Sequence, residues 1–184
     1  MSDISYQKFN IYDECLKQAQ FGSMRGGNGE GALLFVSFAK NGMVLFRNRS
    51  RHKRDFLNDY GLSSSGFQEH AEQAVVNDAL KFARDNDDRI LSADLYVAGY
   101  LDGKPYKYKK ETYICMNCAS YIKEVFPIYA THIHLPCLEG GWYSFTPFEL
   151  FREAVEAYTF YGKTSEVRLA SLEVIDDGEQ EKSE

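Results

Sequence analysis

With 184 residues, 44% hydrophobic and 26% charged, the chain has the length and composition of a single globular domain with a full core. No apolar run approaches the roughly 20 residues of a membrane span, and residues 1–20 lack the basic start and apolar stretch of a signal peptide. A net charge of −6 argues against broad nucleic-acid binding, and four unevenly spaced cysteines do not make a disulfide scaffold, so a soluble cytoplasmic protein with no membrane partner is expected.

The first predicted element is an amphipathic helix over residues 4–21, with Phe9, Tyr12, Leu16 and Ala19 on one stripe and Cys15 beside it. Five glycines between Gly22 and Gly31 then require a loop. It is not a phosphate loop, because no Gly-Lys-Ser/Thr follows. Ala32 to Ala39 is an apolar, β-prone run. Asn41-Gly42 is a two-residue hairpin signal, and Met43 to Arg47 returns as the second strand. Residues 48–66 are polar and form a long loop.

A helix over Phe67 to Asp85 follows, with Ala71, Val75, Ala79 and Phe82 spaced to face a sheet. Leu95 to Leu101 is the third strand, Asp102-Gly103 a turn, and residues 104–113 an extra hairpin arm. A helix over Cys115 to Phe126 ends at Pro127. Ala130 to Leu135 is the fourth strand. Thr146-Pro147-Phe148-Glu149 is a capping box that opens a helix to about Tyr161. Val167 to Ile175 is the fifth strand, and the acidic tail 176–184 frays. The order predicts one α/β domain over 1–184: a mixed five-stranded sheet flanked by helices in three layers, with its core in 32–175.

Two short motifs carry the chemistry. His70-Ala71-Glu72 and Cys115-Met116-Asn117-Cys118 both fall where helices begin. Cys115 and Cys118 are three apart and share a helical face, and a thiolate at a helix N-terminus is stabilised by the peptide dipoles. One imidazole and two thiolates leave the fourth position of a tetrahedral zinc open for water. Glu72, two residues after His70, has the chemistry to stay off the metal and move protons beside that water. The motifs lie 45 residues apart, which leaves room for the rest of a helix, a strand and a loop.

This pairing resembles the zinc-dependent cytidine deaminase-like superfamily, whose pattern is His-x-Glu on one helix and Pro-Cys-x-x-Cys on the next. Ile114 stands where that family has proline. The resemblance implies a three-layer αβα fold over roughly residues 32–175. The helix between the fourth and fifth strands implies a parallel final pair, similar to the tRNA adenosine, deoxycytidylate and AID/APOBEC branches. It also implies Zn2+ held by His70, Cys115 and Cys118, with Glu72 as the catalytic acid-base.

The candidate substrate contacts are Asn48, Arg49, Ala71, Trp142 and Tyr143. Asn48-Arg49-Ser50 resembles the Asn-Arg-Pro of tRNA adenosine deaminases, and asparagine offers a donor and an acceptor to a base or sugar edge. The basic run Arg47, Arg49, Arg51, Lys53 and Arg54 suits phosphate. Trp142-Tyr143 follows Gly140-Gly141, where the family places specificity residues, and Tyr106, Tyr108, Tyr113 and Phe145 are further aromatics able to stack a base or pack a core.

The expected activity is hydrolytic deamination of a cytosine-type base in a nucleoside or nucleotide, with homo-oligomers among the forms such enzymes take. Three rivals stand beside it: a deaminase acting on single-stranded DNA or RNA, a non-catalytic zinc domain, and a thiol redox pair. In a structural site His132, His134 and Cys137 would be the nearby sources of further ligands.

Overall fold

The computed structural model describes residues 9–20, 29–50, 69–109, 116–126, 130–161 and 172–174. Helix α1 spans Ile11–Gln20. Its start lies later than the apolar stripe suggests because Asn10 caps it: the Asn10 Oδ1 accepts from the amides of Tyr12 (3.0 Å) and Asp13 (3.3 Å). Residues 4–8 of the expected helix lie outside the described residues.

Strands β1 (Gly29–Phe38) and β2 (Gly42–Arg49) form the expected hairpin. Phe38 faces Gly42, so the connection is three residues long rather than two. Gly42 takes a φ of 69°, the left-handed residue that closes such a loop. β3 (Ile90–Leu101) pairs antiparallel with β1 along its length. Asp102 and Gly103, with φ of 52° and 80°, then turn the chain into β4 (Lys104–Tyr108). This is the inner strand of the expected arm; residues 110–113 lie outside the described residues.

β5 (Thr131–Pro136) runs parallel to β3, with Ala93 opposite Thr131 and Tyr96 opposite His134. β4 and β5 thus share one edge of β3, β5 alongside residues 93–96 and β4 alongside 100–101. Gly140 and Gly141, with φ of 101° and 78°, reverse the chain so that β6 (Trp142–Phe145) returns antiparallel on β5. β7 (Leu172–Val174) pairs antiparallel with β4. The sheet is mixed and helix-flanked as expected, but β4 and β6 add two strands. The expected parallel final pair is not formed among the described residues. β6 takes the free edge of β5, and residues 106–108 of β4 offer β7 another.

Helices α2 (Ala71–Asp85), α3 (Met116–Val125) and α4 (Pro147–Tyr161) cover one face of the sheet. Strand alternation divides the side chains. Ala32, Leu34, Val36, Leu95, Val97 and Ile133 meet Val75, Ala79, Ile122 and Leu150 in the large core. Leu33 and Ala98 face the other way, against Cys15 and Leu16 of α1. Burying each Leu, Ile or Val side chain contributes about 1.5–3 kcal/mol.

The α1 face is tight: a Cβ on Gly31 would lie 2.0 Å from the Cys15 carbonyl oxygen. Replacing Gly31 by alanine therefore pushes α1 off the sheet. The expected loss is about 1–3 kcal/mol, read as a lowered urea midpoint.

The capping box of α4 is formed. Glu149 Oε2 accepts from the Thr146 amide and hydroxyl, both at 2.9 Å, and Thr146 Oγ1 accepts from the Glu149 amide at 3.2 Å. The amide of Thr146, then its hydroxyl, holds the Glu149 carboxyl below its ordinary range. The contribution is present above the ordinary carboxylate pKa and is lost as pH falls through the depressed folded value. Thr146→Ala is expected to cost about 1 kcal/mol at neutral pH. That difference from wild type shrinks on acidification in denaturant titrations run at several pH values.

Candidate metal centre

α2 begins one residue after His70, whose backbone is extended (φ −73°, ψ 154°). His70 is thus the N-cap, and its imidazole lies at the mouth of the helix rather than along its side. Glu72 is the second helical residue. It is 2% exposed and sits in the first turn, where the helix dipole favours a carboxylate. α3 begins at Met116 and carries Cys118, fully buried, in its own first turn.

The two helix starts meet. Cys118 Sγ lies 3.3 Å from His70 Nδ1. Ligand atoms of His70, Glu72 and Cys118 all fall within 4.8 Å of one another, close enough to hold a metal ion. Cys115 lies outside the described residues.

A polar chain joins the two helices beside this group. Glu69, buried and immediately before His70, accepts through Oε1 from Asn77 Nδ2 at 2.9 Å. The Asn77 Oδ1 in turn accepts from the Tyr121 hydroxyl of α3. Sequence reading missed these residues. Asn77 lies eight positions after Glu69 and Tyr121 on another helix, so no local pattern links them.

The candidate substrate residues divide between the two faces. Ala71 is fully buried in the large core beside the metal group. Asn48 turns toward α2: its Nδ2 donates to Asp78 Oδ2 at 2.7 Å and its Oδ1 accepts from the Arg49 amide at 2.9 Å. Arg49 is exposed, and alternation along β2 sends it with Arg47 to the α1 face. There Arg47 Nε lies 3.4 Å from Glu14 Oε1. Arg51, Lys53 and Arg54 lie outside the described residues.

Trp142 also lies on the α1 face, edge-on to Tyr96 at 5.0 Å and to Tyr12 at 6.4 Å between ring centroids. Tyr143, its neighbour, turns to the large core. A hydrogen bond with Cys137, then burial and the Cys137 and Glu139 charges, pushes the Tyr143 phenol up to about 12.

Tyr106 and Tyr108 are core residues, each 1% exposed, and the Tyr106 hydroxyl donates to Glu30 Oε1 at 2.8 Å. Burial, then Tyr108 and the nearby Glu72 charge, raises the Tyr106 phenol well above its ordinary value. Phe145 packs against the same core, and Tyr113 lies outside the described residues. His132 and His134 project away from it: Ile133 and Leu135 take the inward positions of β5, while His134 stacks on Tyr96 across the sheet from Cys118. They are not placed to complete a site with Cys118.

The fold is thus α/β with a mixed sheet between helical layers, and among the described residues it brings together a His/Glu/Cys group close enough to hold a metal ion. Among the described residues no helix is long and apolar enough to cross a membrane. The sequence matches no protein-family model and no curated protein.

Tyr121→Phe removes the donor to Asn77 and loosens the tie between the two helix starts. The expected cost is about 1–3 kcal/mol, measured by urea unfolding of wild type and variant.

Proposed function

We propose that this protein is a zinc-dependent hydrolytic deaminase of a cytosine-type base in a nucleoside or nucleotide. The observation that carries the reading is the meeting of His70, Glu72 and Cys118 at two helix N-termini. The donor chemistry suits zinc. An imidazole nitrogen and a thiolate sulfur sharing one tetrahedral zinc stand about 3.5 Å apart, and His70 Nδ1 and Cys118 Sγ are 3.3 Å apart. His70 and Cys118 hold the ion in this reading, with Cys115 as third protein ligand.

Zinc in such a site supplies a nucleophilic water at neutral pH. Glu72 does the proton work. Its carboxylate takes a proton from the attacking water and passes it to the ring nitrogen as the new carbon–oxygen bond forms. It then carries the second water proton to the exocyclic nitrogen, which leaves as ammonia while the carbonyl forms. Burial of Glu72 keeps bulk water from competing for that proton. Asn48, at the end of β2 and turned to the same sheet face, is the residue this reading assigns to the base or sugar.

The test is zinc content together with ammonia release for wild type, Glu72→Ala and Cys118→Ala. The substrates are cytidine, deoxycytidine, their monophosphates, adenosine, guanine and a cytosine-bearing single strand. Wild type is expected to hold about one zinc and release ammonia from a cytosine nucleoside or nucleotide. Glu72→Ala is expected to keep the zinc and lose at least about 10²- to 10⁴-fold in rate; Cys118→Ala is expected to lose the metal. Ammonia from the single strand alone transfers the reading to nucleic acid. Zinc without ammonia from any substrate leaves a non-catalytic metal domain, and no zinc in wild type overturns the proposal.

A further inference from the structure

The sheet face opposite the His70 group carries a second set of ligand-type side chains. β5 presents His132 and His134 two residues apart, so both imidazoles leave the same side of the strand. The parallel register sets Asp94 of β3 directly opposite His132 and Tyr96 opposite His134. One carboxylate oxygen faces both rings: Asp94 Oδ1 is hydrogen-bonded to His134 Nε2 at 2.9 Å and lies 3.8 Å from His132 Nδ1, a charge-pair distance without a hydrogen bond.

We propose that Asp94, His132 and His134 form a second divalent-metal site, one for a borderline transition cation such as Zn2+, Ni2+ or Cu2+. Two imidazoles and one carboxylate are a donor set for these ions, and they leave coordination positions open. His134 is already held for the task. Its ring stacks on Tyr96 at 4.2 Å between centroids, and its Nδ1 is 2.7 Å from Ser144 Oγ. The Ser144 hydroxyl can donate or accept. It therefore supports the tautomer that bonds Asp94 through Nε2–H and also the one whose Nε2 lone pair meets a cation, an orienting role usual behind metal-bound histidines.

His132 closes the site. The two imidazole centroids are 6.3 Å apart, so His132 must swing inward when the ion arrives. Its side chain is 46% exposed and that of Asp94 43%, against 13% for His134. The two groups that must adjust are thus the two with room to do so. This site is independent of the His70 group, because the sheet and its large core lie between them.

The chain has one tryptophan, and it reports on this face. Trp142 lies edge-on to Tyr96, the ring on which His134 stacks. The experiment strips the 184-residue chain of metal, restores a single equivalent of Zn2+, and titrates Ni2+ while recording Trp142 fluorescence, followed by dialysis and metal analysis.

Wild type is expected to show saturable quenching and to retain one Ni2+ beyond the metal of the first site. His132→Ala and Asp94→Asn, both at half-exposed positions, are expected to lose the quenching and that equivalent while keeping the wild-type circular dichroism. Glu72→Ala is expected to quench as wild type does. Absence of saturable quenching in wild type, or identical quenching in His132→Ala, overturns the proposal. Because the readout is Ni2+ at Trp142, it stands or falls whatever the His70 group binds.

Discussion

The arrangement depends on two crossovers that step the same way across the sheet. β2 and β3 run parallel with β1 between them, and β3 and β5 run parallel as neighbours. A connection between parallel strands is almost always right-handed. Two such connections moving in one direction therefore lay their helices, α2 and α3, on one face. Each helix also leads by a short connection into one of these parallel strands, α2 into β3 and α3 into β5, and runs antiparallel to it, so both N-termini lie at the end of the sheet where those strands finish. That is why His70 and Cys118, 48 positions apart, come within 3.3 Å.

Packing makes this meeting specific. Ala71 and Cys118 are both completely buried within one core, so neither helix start can slide without opening a cavity. The chain from Glu69 through Asn77 to Tyr121 adds polar register between the same helices. A buried carboxylate and a half-buried amide are costly unless bonded, so this chain favours one relative position of α2 and α3 over its neighbours. The hydrophobic core sets that the helices touch, and the polar chain sets where.

The two faces of the sheet have different characters. One is closed by three helices and carries the His70 group at its edge. The other is closed by α1 over β1 and β3, where Gly31 admits the helix backbone, and among the described residues no helix covers it over β5 and β6. There Tyr96, Trp142, His132, His134 and Asp94 form an aromatic and ionisable surface. Strand alternation decides membership: Trp142 and Tyr143 are adjacent in the chain and lie on opposite sides of the sheet.

By itself the sequence determined the α/β class, the four helices, the β1–β2 hairpin and the placing of His70, Glu72 and Cys118 at helix starts. Each is written in local periodicity, a cap or a turn: Asn41-Gly42, Thr146 with Glu149, and His70 or Cys118 beside an apolar helical stripe. Only the tertiary structure decided which edge β6 and β7 take, because pairing depends on free strand edges that no local pattern records. It alone joined Glu69 to Tyr121 and separated Arg49 and Trp142 from Ala71 and Asn48. Those relations depend on which face of a shared sheet each side chain leaves, and that is settled when strands distant in sequence pair and the core chooses its side.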